Sequence, residues 1–291
     1  MSPRAWLEVS VWTSCEAKEA VAALLLELAS GYAEEDGPDG VRLVAWLPQD
    51  PVWARCVEGL QQRVASLSSF GLDPGPGTVR VRRVPAGAWE TAWRKHFRPF
   101  RVGPFVIRPP WHRYRGNPGE VVLVLNPGMA FGTGLHESTR LCLRVLPELV
   151  RPGVRVFDVG TGSGILAIAA AKLGGRVVAV DCDALACRIA QANARRNRVA
   201  SRVEVRCGDL FEPLEGRAHV VLTNITAEVL LRAVPVAASY VEPGGAWVVS
   251  GMVAGNVGRV LEAAGGCGFR VARVLEEGEW RAAVLRASTP P

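Results

Sequence analysis

The chain has almost no lysine. Of its 34 basic residues only Lys18, Lys95 and Lys172 are lysines, and the other 31 are arginines. Long hydrophobic runs are missing too: no stretch approaches ~18 uncharged apolar residues, which excludes a transmembrane helix. Residues 1–10 carry Glu8 inside their one apolar run, unlike a signal peptide. The seven cysteines (15, 56, 142, 182, 187, 207, 267) are odd in number and contain no C-x-x-C pair. Neither a zinc site nor a disulfide framework is therefore expected, and no metal ligand set is assigned. These absences describe a cytoplasmic protein with reduced, mostly packed thiols. What is present is a chain of 291 residues, 49% hydrophobic and 21% charged, enough for two domains or one large one. Its net charge of +6 invites a phosphate-bearing or other anionic partner.

Residues 1–87 read as strand, helix, strand, strand, helix, strand. Leu7, Val9 and Val11 alternate with Glu8 and Ser10, as in a half-buried strand. Ala17, Val21, Leu24, Leu25 and Leu28 recur at helical spacing. The cluster Gly37-Pro-Asp-Gly40 separates a short strand near Tyr32 from one at Val41 to Leu47. Val52, Cys56, Leu60, Val64 and Leu67 mark one face of a second helix, and Val79 and Val81 a last strand. This order predicts a small α+β domain of ferredoxin-like, split-βαβ plan. Nothing in it looks catalytic.

Residues 88–125 are expected to be a linker. Trp89, Trp93, Phe97, Phe100, Phe105 and Trp111 are interleaved there with seven basic residues. Such a mixture can hold RNA. The plainer expectation is an interdomain segment whose aromatics pack while its arginines stay wet, since stacking platforms normally sit on sheets.

From about Gly153 apolar strands alternate with helices, the pattern of a parallel α/β sheet. Strands are expected at Val154 to Val159, Val177 to Val180, Val203 to Cys207, Val220 to Leu222 and Ala246 to Ser250, with two late ones at Arg270 to Leu275 and Trp280 to Leu285. Helices are expected at Ile165 to Leu173, Ala184 to Asn197 and Asn256 to Ala264. The uncharged Val220 to Leu222 reads as a strand covered on both faces.

The most informative stretch is Asp158-Val-Gly160-Thr-Gly162-Ser-Gly164. A strand ends in an acid, and a glycine-rich turn lets the backbone approach a ligand and opens a helix toward it. Asp181 closes the next strand 21 residues beyond Gly160, the spacing of an acid that grips ribose hydroxyls. The dinucleotide fingerprint is G-x-G-x-x-G, whereas this turn is G-x-G-x-G with Asp158 just ahead. A negative charge there suits a sulfonium or ammonium better than a pyrophosphate. The arrangement resembles the class I, Rossmann-like S-adenosylmethionine-dependent methyltransferases. Asp209, after the third strand, matches a position that often contacts adenine in that class, or else caps a loop.

Two further segments narrow the resemblance. They are Asn126-Pro-Gly-Met-Ala-Phe131-Gly-Thr133-Gly-Leu-His136-Glu-Ser-Thr139 and Asn224-Ile-Thr-Ala227. With Trp89-Glu-Thr-Ala-Trp-Arg-Lys-His-Phe97 and Glu277-Gly-Glu-Trp280, they resemble the PrmA family, bacterial methyltransferases of large-ribosomal-subunit protein eleven. The resemblance implies a ferredoxin-like recognition domain (1–87), a linker (88–125) and a methyltransferase domain (126–291). It implies that Thr139, Gly160, Asp181 and Asn224 bind S-adenosylmethionine. Phe131, Gly132, Thr133 and His136 would form a loop closing over cofactor and acceptor. His136 is assigned either a loop-orienting hydrogen bond or a place near the acceptor amine. Thr139 alternatively caps a helix over Leu141 to Leu149.

Methyl transfer is an in-line displacement, so catalysis is chiefly the positioning of a neutral amine. The carbonyl oxygen of Asn224 can accept an N–H from that amine and orient its lone pair. No dedicated general base is evident. The sequence departs from the family at Asn126, where Asp is common, at Thr226 in place of Leu, and at Glu228 in place of Gly. The expected activity is methylation of amino groups, lysine side chains and also the N-terminal amine, of that ribosomal protein. The alternatives are a methyltransferase of another protein or of RNA, and a catalytically degenerate ribosome-assembly factor. Residues 1–87 hold 8 basic and 11 acidic groups, against 7 and 2 in 88–125 and 19 and 15 in 126–291. An acidic first domain suits a basic ribosomal protein as partner, while the basic remainder allows incidental contact with rRNA.

Overall fold

The computed structural model describes residues 5–26, 28–29, 32–37, 40–48, 57, 59–85, 99–125 and 136–288. Two compact units divide the chain, Met1–Arg98 and Pro99–Pro291.

In the first unit the alternating segments form β1 (Ala5–Thr13), β2 (Tyr32–Gly37), β3 (Gly40–Pro48) and β4 (Thr78–Pro85). They make an antiparallel sheet in the order β2-β3-β1-β4, the ferredoxin-like arrangement. The helices α1 (Lys18–Leu26) and α2 (Leu60–Ser66) supply Val21, Leu25, Leu60 and Val64 to the core beneath Val9, Val11 and Leu43. The expected helix positions Val52 and Cys56 lie outside the described residues. On β1, Glu8 is buried and neutralised by Arg82 at 2.8 Å and Arg42 at 3.5 Å, so its burial does not strand a charge.

The segment expected to be a linker is folded where it is described. Strands β5 (Phe100–Val102), β6 (Phe105–Arg108) and β7 (Val121–Val124) form a three-stranded sheet. Phe105, Ile107 and Leu123 are buried in the core of the second unit, and Phe100 packs against it. Glu120 accepts from the Tyr114 hydroxyl at 2.6 Å and the Asn117 amide at 2.8 Å, and pairs with Arg101. Those bonds, the Tyr114 hydroxyl foremost, hold its carboxyl down at about 2. Short strands broken by Pro109-Pro110 and Asn117-Pro118 have too few alternating residues to stand out in the sequence. Trp89, Trp93 and Phe97 lie outside the described residues.

The second unit is built on a seven-stranded sheet. Its strands are β8 (Arg155–Val159), β9 (Arg176–Asp181), β10 (Val203–Cys207), β11 (Ala218–Asn224), β12 (Val241–Val253), β13 (Phe269–Glu277) and β14 (Trp280–Ala287). The order is β10-β9-β8-β11-β12-β14-β13, parallel except for β14, which runs antiparallel to both neighbours. The helices are α3 (Glu137–Leu149), α4 (Ile165–Lys172), α5 (Ala184–Arg196), α6 (Ala227–Ala237) and α7 (Ala254–Gly266). Val220 to Thr223 are buried on both faces, as their lack of charge predicts, and two core clusters lie on opposite sides of the sheet. Helix α6 is not anticipated in the sequence reading, where Pro235 interrupts the helical pattern. Asn197 ties β7 to the end of α5 by accepting from the Val124 amide and donating to its carbonyl, both at 2.7 Å.

Chain order reverses between β8 and β11. From β8 the chain steps outward to β9 and β10, then returns to β11 on the other side. Open α/β sheets bind ligands in the crevice at the carboxyl ends of strands flanking such a point.

Candidate active site

The turn after β8 is shaped by positive-φ glycines: Gly160 at 76°, Gly162 at 54° and Gly164 at 82°. Gly164 ends the turn as the left-handed residue before α4. A methyl group on Gly160 would sit 2.3 Å from Cγ2 of Ile225, and one on Gly251 would sit 2.2 Å from the Ile225 carbonyl oxygen. Two bare glycines thus clasp Ile225 from either side, giving a steric reason for the Asn-Ile dipeptide that ends β11. Gly160 and Gly162 remain half-exposed, while Gly164 is buried.

The two aspartates expected at the cofactor differ. Asp158 is 1% exposed and faces the protein. Its Oδ2 accepts from the Thr161 hydroxyl at 2.6 Å and the Ala167 amide at 3.0 Å, so it braces the turn and the first turn of α4 from behind. Burial pushes its carboxyl up to about 6, against the pull of those two donors. Both donors lie within its own turn and helix, so what the structure shows of Asp158 is a brace for the turn. Asp181 is half-exposed at the end of β9. Its Oδ2 accepts from the Gly162 amide at 2.8 Å and its Oδ1 from the Asp183 amide at 3.0 Å. Each oxygen retains further acceptor capacity toward solvent, as a grip on hydroxyl groups requires.

Thr139 and Asn224, 85 residues apart, meet at the switch point. Asn224 Nδ2 donates to Thr139 Oγ1 at 3.2 Å. Thr139 is 2% exposed inside α3, so it is not the helix cap. That role falls to His136, whose Nδ1 accepts from the Ser138 amide at 3.3 Å. The His136 ring also meets Trp280 edge to face, with centroids 4.3 Å apart. Phe131, Gly132 and Thr133 lie outside the described residues. Asp209 is half-exposed and paired with Arg232 of α6 at 2.7 Å.

Three participants went unassigned in the sequence reading. Ser250 of β12 donates to the Ser138 carbonyl at 3.1 Å and holds the start of α3 against the sheet. Trp280 stands in the Glu277-Gly-Glu-Trp280 segment, but its partnership with His136 depends on β14 being inserted beside β12. Glu277 binds Arg140 Nε at 2.7 Å and Arg144 at 2.8 Å, clamping α3 to the end of β13. Among the described residues no cluster of three or more His, Cys, Asp or Glu could hold a metal ion.

The comparisons with known proteins fit this geometry. Residues 5–288 match the family model described as Ribosomal protein L11 methyltransferase (PrmA). The chain belongs to this family. Ribosomal protein L11 methyltransferase of Pelotomaculum thermopropionicum is 42% identical, the alignment covering 97% of this chain and 98% of the relative. The protein of that name from Levilactobacillus brevis is 37% identical over 98% of each chain. A crystal structure of ribosomal protein L11 methylase from Lactobacillus delbrueckii subsp. bulgaricus superposes with a TM-score of 0.63 at 28% identity, covering 66% of this chain and all of that one. The seven-stranded sheet is therefore that of a PrmA methyltransferase. No helix among the described residues is long and apolar enough to cross a membrane.

Proposed function

We propose that the chain transfers methyl groups from S-adenosylmethionine to amino groups of large-ribosomal-subunit protein L11, on lysine side chains and on the N-terminal amine. One observation carries the reading. The Asn224 amide is fixed by its bond to Thr139, and no partner for its carbonyl oxygen is found among the described residues. Asn224 is half-exposed at the switch point, where that oxygen can accept an N–H from an incoming amine and aim the nitrogen lone pair. Asp181 would hold the nucleoside beside the turn, whose Gly160 and Thr161 amides already donate to the Val180 carbonyl and whose Gly162 amide donates to Asp181 itself. The half-exposed carboxylate and the bare left-handed turn fit such a group. When bound, the sulfonium supplies an electrophilic methyl group. Thr139 keeps Asn224 in its rotamer, and Asp158 keeps the turn in place without touching either reactant. His136 holds the start of α3 near this edge, with Trp280 against its ring. The acceptor lysine has to arrive neutral, which a desolvated pocket assists by lowering its pKa.

The first unit serves, on this reading, to recognise L11, and the reaction takes place in the cytoplasm. The test is to incubate the full chain with labelled S-adenosylmethionine, purified L11 and rRNA, and to map methyl mass. Label on L11 amines is expected, and label confined to rRNA would overturn the proposal. Asn224→Ala should lower kcat by about 10- to 100-fold, the scale of lost positioning, with a smaller change in cofactor affinity.

A further inference from the structure

Two thiols meet beside Asp181, and methyl transfer uses neither. Cys207 ends β10, and Cys187 lies in the first turn of α5. The alternation of the strand sets their facing. Val203 and Val205 pack into the same core cluster as Ala194 of α5, and Cys207 is next in that period of two. Cys187 precedes Ala194 by seven residues, two turns back along the same face of the helix. Both cysteines therefore occupy the space between α5 and the end of β10. Cys182 follows Asp181 by one residue, so alternation sends it to the other side of the sheet, that of Val178 and Val180.

Side-chain contacts agree with this placement. The Cys187 S–H is shared between the carbonyls of Asp181 at 3.4 Å and Arg206 at 3.6 Å. Asp181 is the register partner of Cys207, and Arg206 precedes it in the chain. The Cys207 thiol itself lies within hydrogen-bonding reach of Cys187. Cys187 is buried and Cys207 exposed, so one sulfur is screened and the other meets solutes. Burial pushes the Cys187 thiol up and keeps it protonated, which leaves Cys207 as the sulfur oxidised first.

We infer that Cys207 and Cys187 form an oxidation site for hydrogen peroxide, closing to a disulfide that weakens the hold on the cofactor. The Cys207 thiolate attacks the peroxide: an S–O bond forms, the O–O bond breaks and hydroxide leaves. The Cys187 sulfur then attacks the resulting sulfenic acid and gives up its proton. An S–S bond forms, the S–O bond breaks and water departs. Two thiols and one hydrogen peroxide thus become one disulfide and two waters. Contact between the two side chains offsets the low reactivity of a protonated Cys187. In the reducing compartment proposed above such a bond is transient, reopened by a dithiol. The consequence for the cofactor rests on the reading of Asp181 given above, whereas the thiol pair does not. The Asp181 carbonyl also accepts from the Gly208 amide at 3.0 Å, and its carboxylate holds the Gly162 amide at 2.8 Å. Oxidation removes the S–H that Asp181 accepts and draws α5 toward the end of β10, so the end of β9 and the glycine turn must readjust.

The test treats the reduced full chain with hydrogen peroxide, blocks the remaining thiols and maps cross-linked peptides by mass. Cleavage before Asp183 separates Cys182 from Cys187, which makes the partner unambiguous. A Cys187–Cys207 link that reverts with dithiothreitol is expected. Oxidation of Cys207 that ends at sulfinic acid, or a link to Cys182 instead, would overturn the site. Calorimetry then compares S-adenosylmethionine binding. The disulfide form should bind about 10-fold more weakly, and by linkage the cofactor should disfavour the disulfide by the same factor in a glutathione buffer. Cys207→Ala should bind as the reduced wild type does and lose the response to peroxide. A response retained in Cys207→Ala, or equal affinity of oxidised and reduced wild type, would overturn the link to the cofactor. Peptide mapping needs no cofactor. A reduced chain that fails to bind S-adenosylmethionine would therefore refute the cofactor reading while the cross-link stands.

Discussion

The ends of β8 and β9 lie side by side in parallel register and both carry an aspartate, yet one end is closed and the other open. After β8, Asp158 points inward and Gly160 is pressed against Ile225. After β9, Asp181 is half-exposed and Cys182 and Asp183 face solvent. The same carboxylate chemistry thus gives a brace at one strand end and a solvent-facing group at the next. Burial, not residue type, separates the two roles.

The closed end should break most severely. Gly160→Ala forces a methyl group into the Ile225 side chain in a left-handed backbone conformation. Overpacking and the left-handed penalty together predict a loss of about 3–4 kcal/mol in urea unfolding. A shift below about 1 kcal/mol would mean that Ile225 can retreat, and that the clasp is not a constraint.

Next in size is the pH response of Asp158. Its folded-state pKa is raised to about 6 from the ordinary 3.8, chiefly by burial. Between pH ~4 and ~6 the folded protein keeps a proton that the unfolded chain has released, so stability falls as pH rises through that window. That difference corresponds to roughly 3 kcal/mol. Asp158→Asn keeps an oxygen for Thr161 and Ala167 and removes the titration. Its unfolding free energy should therefore lack this decline. Parallel pH profiles for the two proteins would show that Asp158 does not titrate in the window.

At the open end the effect should move from folding to binding. Asp181→Ala should weaken S-adenosylmethionine by about 2 kcal/mol, the scale of hydrogen bonds to a charged acceptor. Isothermal titration gives the dissociation constant directly, and an unchanged value removes Asp181 from the cofactor site.

The contrast also explains what could be read from the amino-acid sequence. The succession of strands and helices along the chain and the glycine turn were legible because Val154 to Val159 and Val177 to Asp181 are short, mostly apolar segments ending in turn chemistry. The convergence of Thr139 with Asn224 was legible only through family resemblance, since no local pattern links residues 85 apart. The inward turn of Asp158 was not legible at all. An acid before a glycine turn has the same sequence whether it faces a ligand or the first turn of the following helix, and only the Thr161 and Ala167 donors decide it. The strands at 100–124 escaped for another reason: three or four residues are too few to show a period of two. Their inclusion shifts the boundary to Arg98 and brings Arg94, Lys95 and Arg98 into the first unit. That unit then holds 11 basic and 12 acidic residues, so its acidity is confined to residues 1–87.

The smallest effect belongs to Asp209, which stands between the two extremes. Its carboxylate is half-exposed, and it is engaged by Arg232 of α6 rather than by its own loop. An exposed pair of this kind contributes about 0.2–1 kcal/mol, so Asp209→Asn should barely change stability. The informative variant is Arg232→Ala. If Asp209 also contacts adenine, releasing it from Arg232 should tighten cofactor binding slightly, while Asp209→Asn weakens it by up to a few-fold. If its role is only to fasten α6 to the loop after β10, both substitutions should change the dissociation constant alike. The sign of the Arg232→Ala effect therefore assigns this third aspartate to the open group or to the closed one.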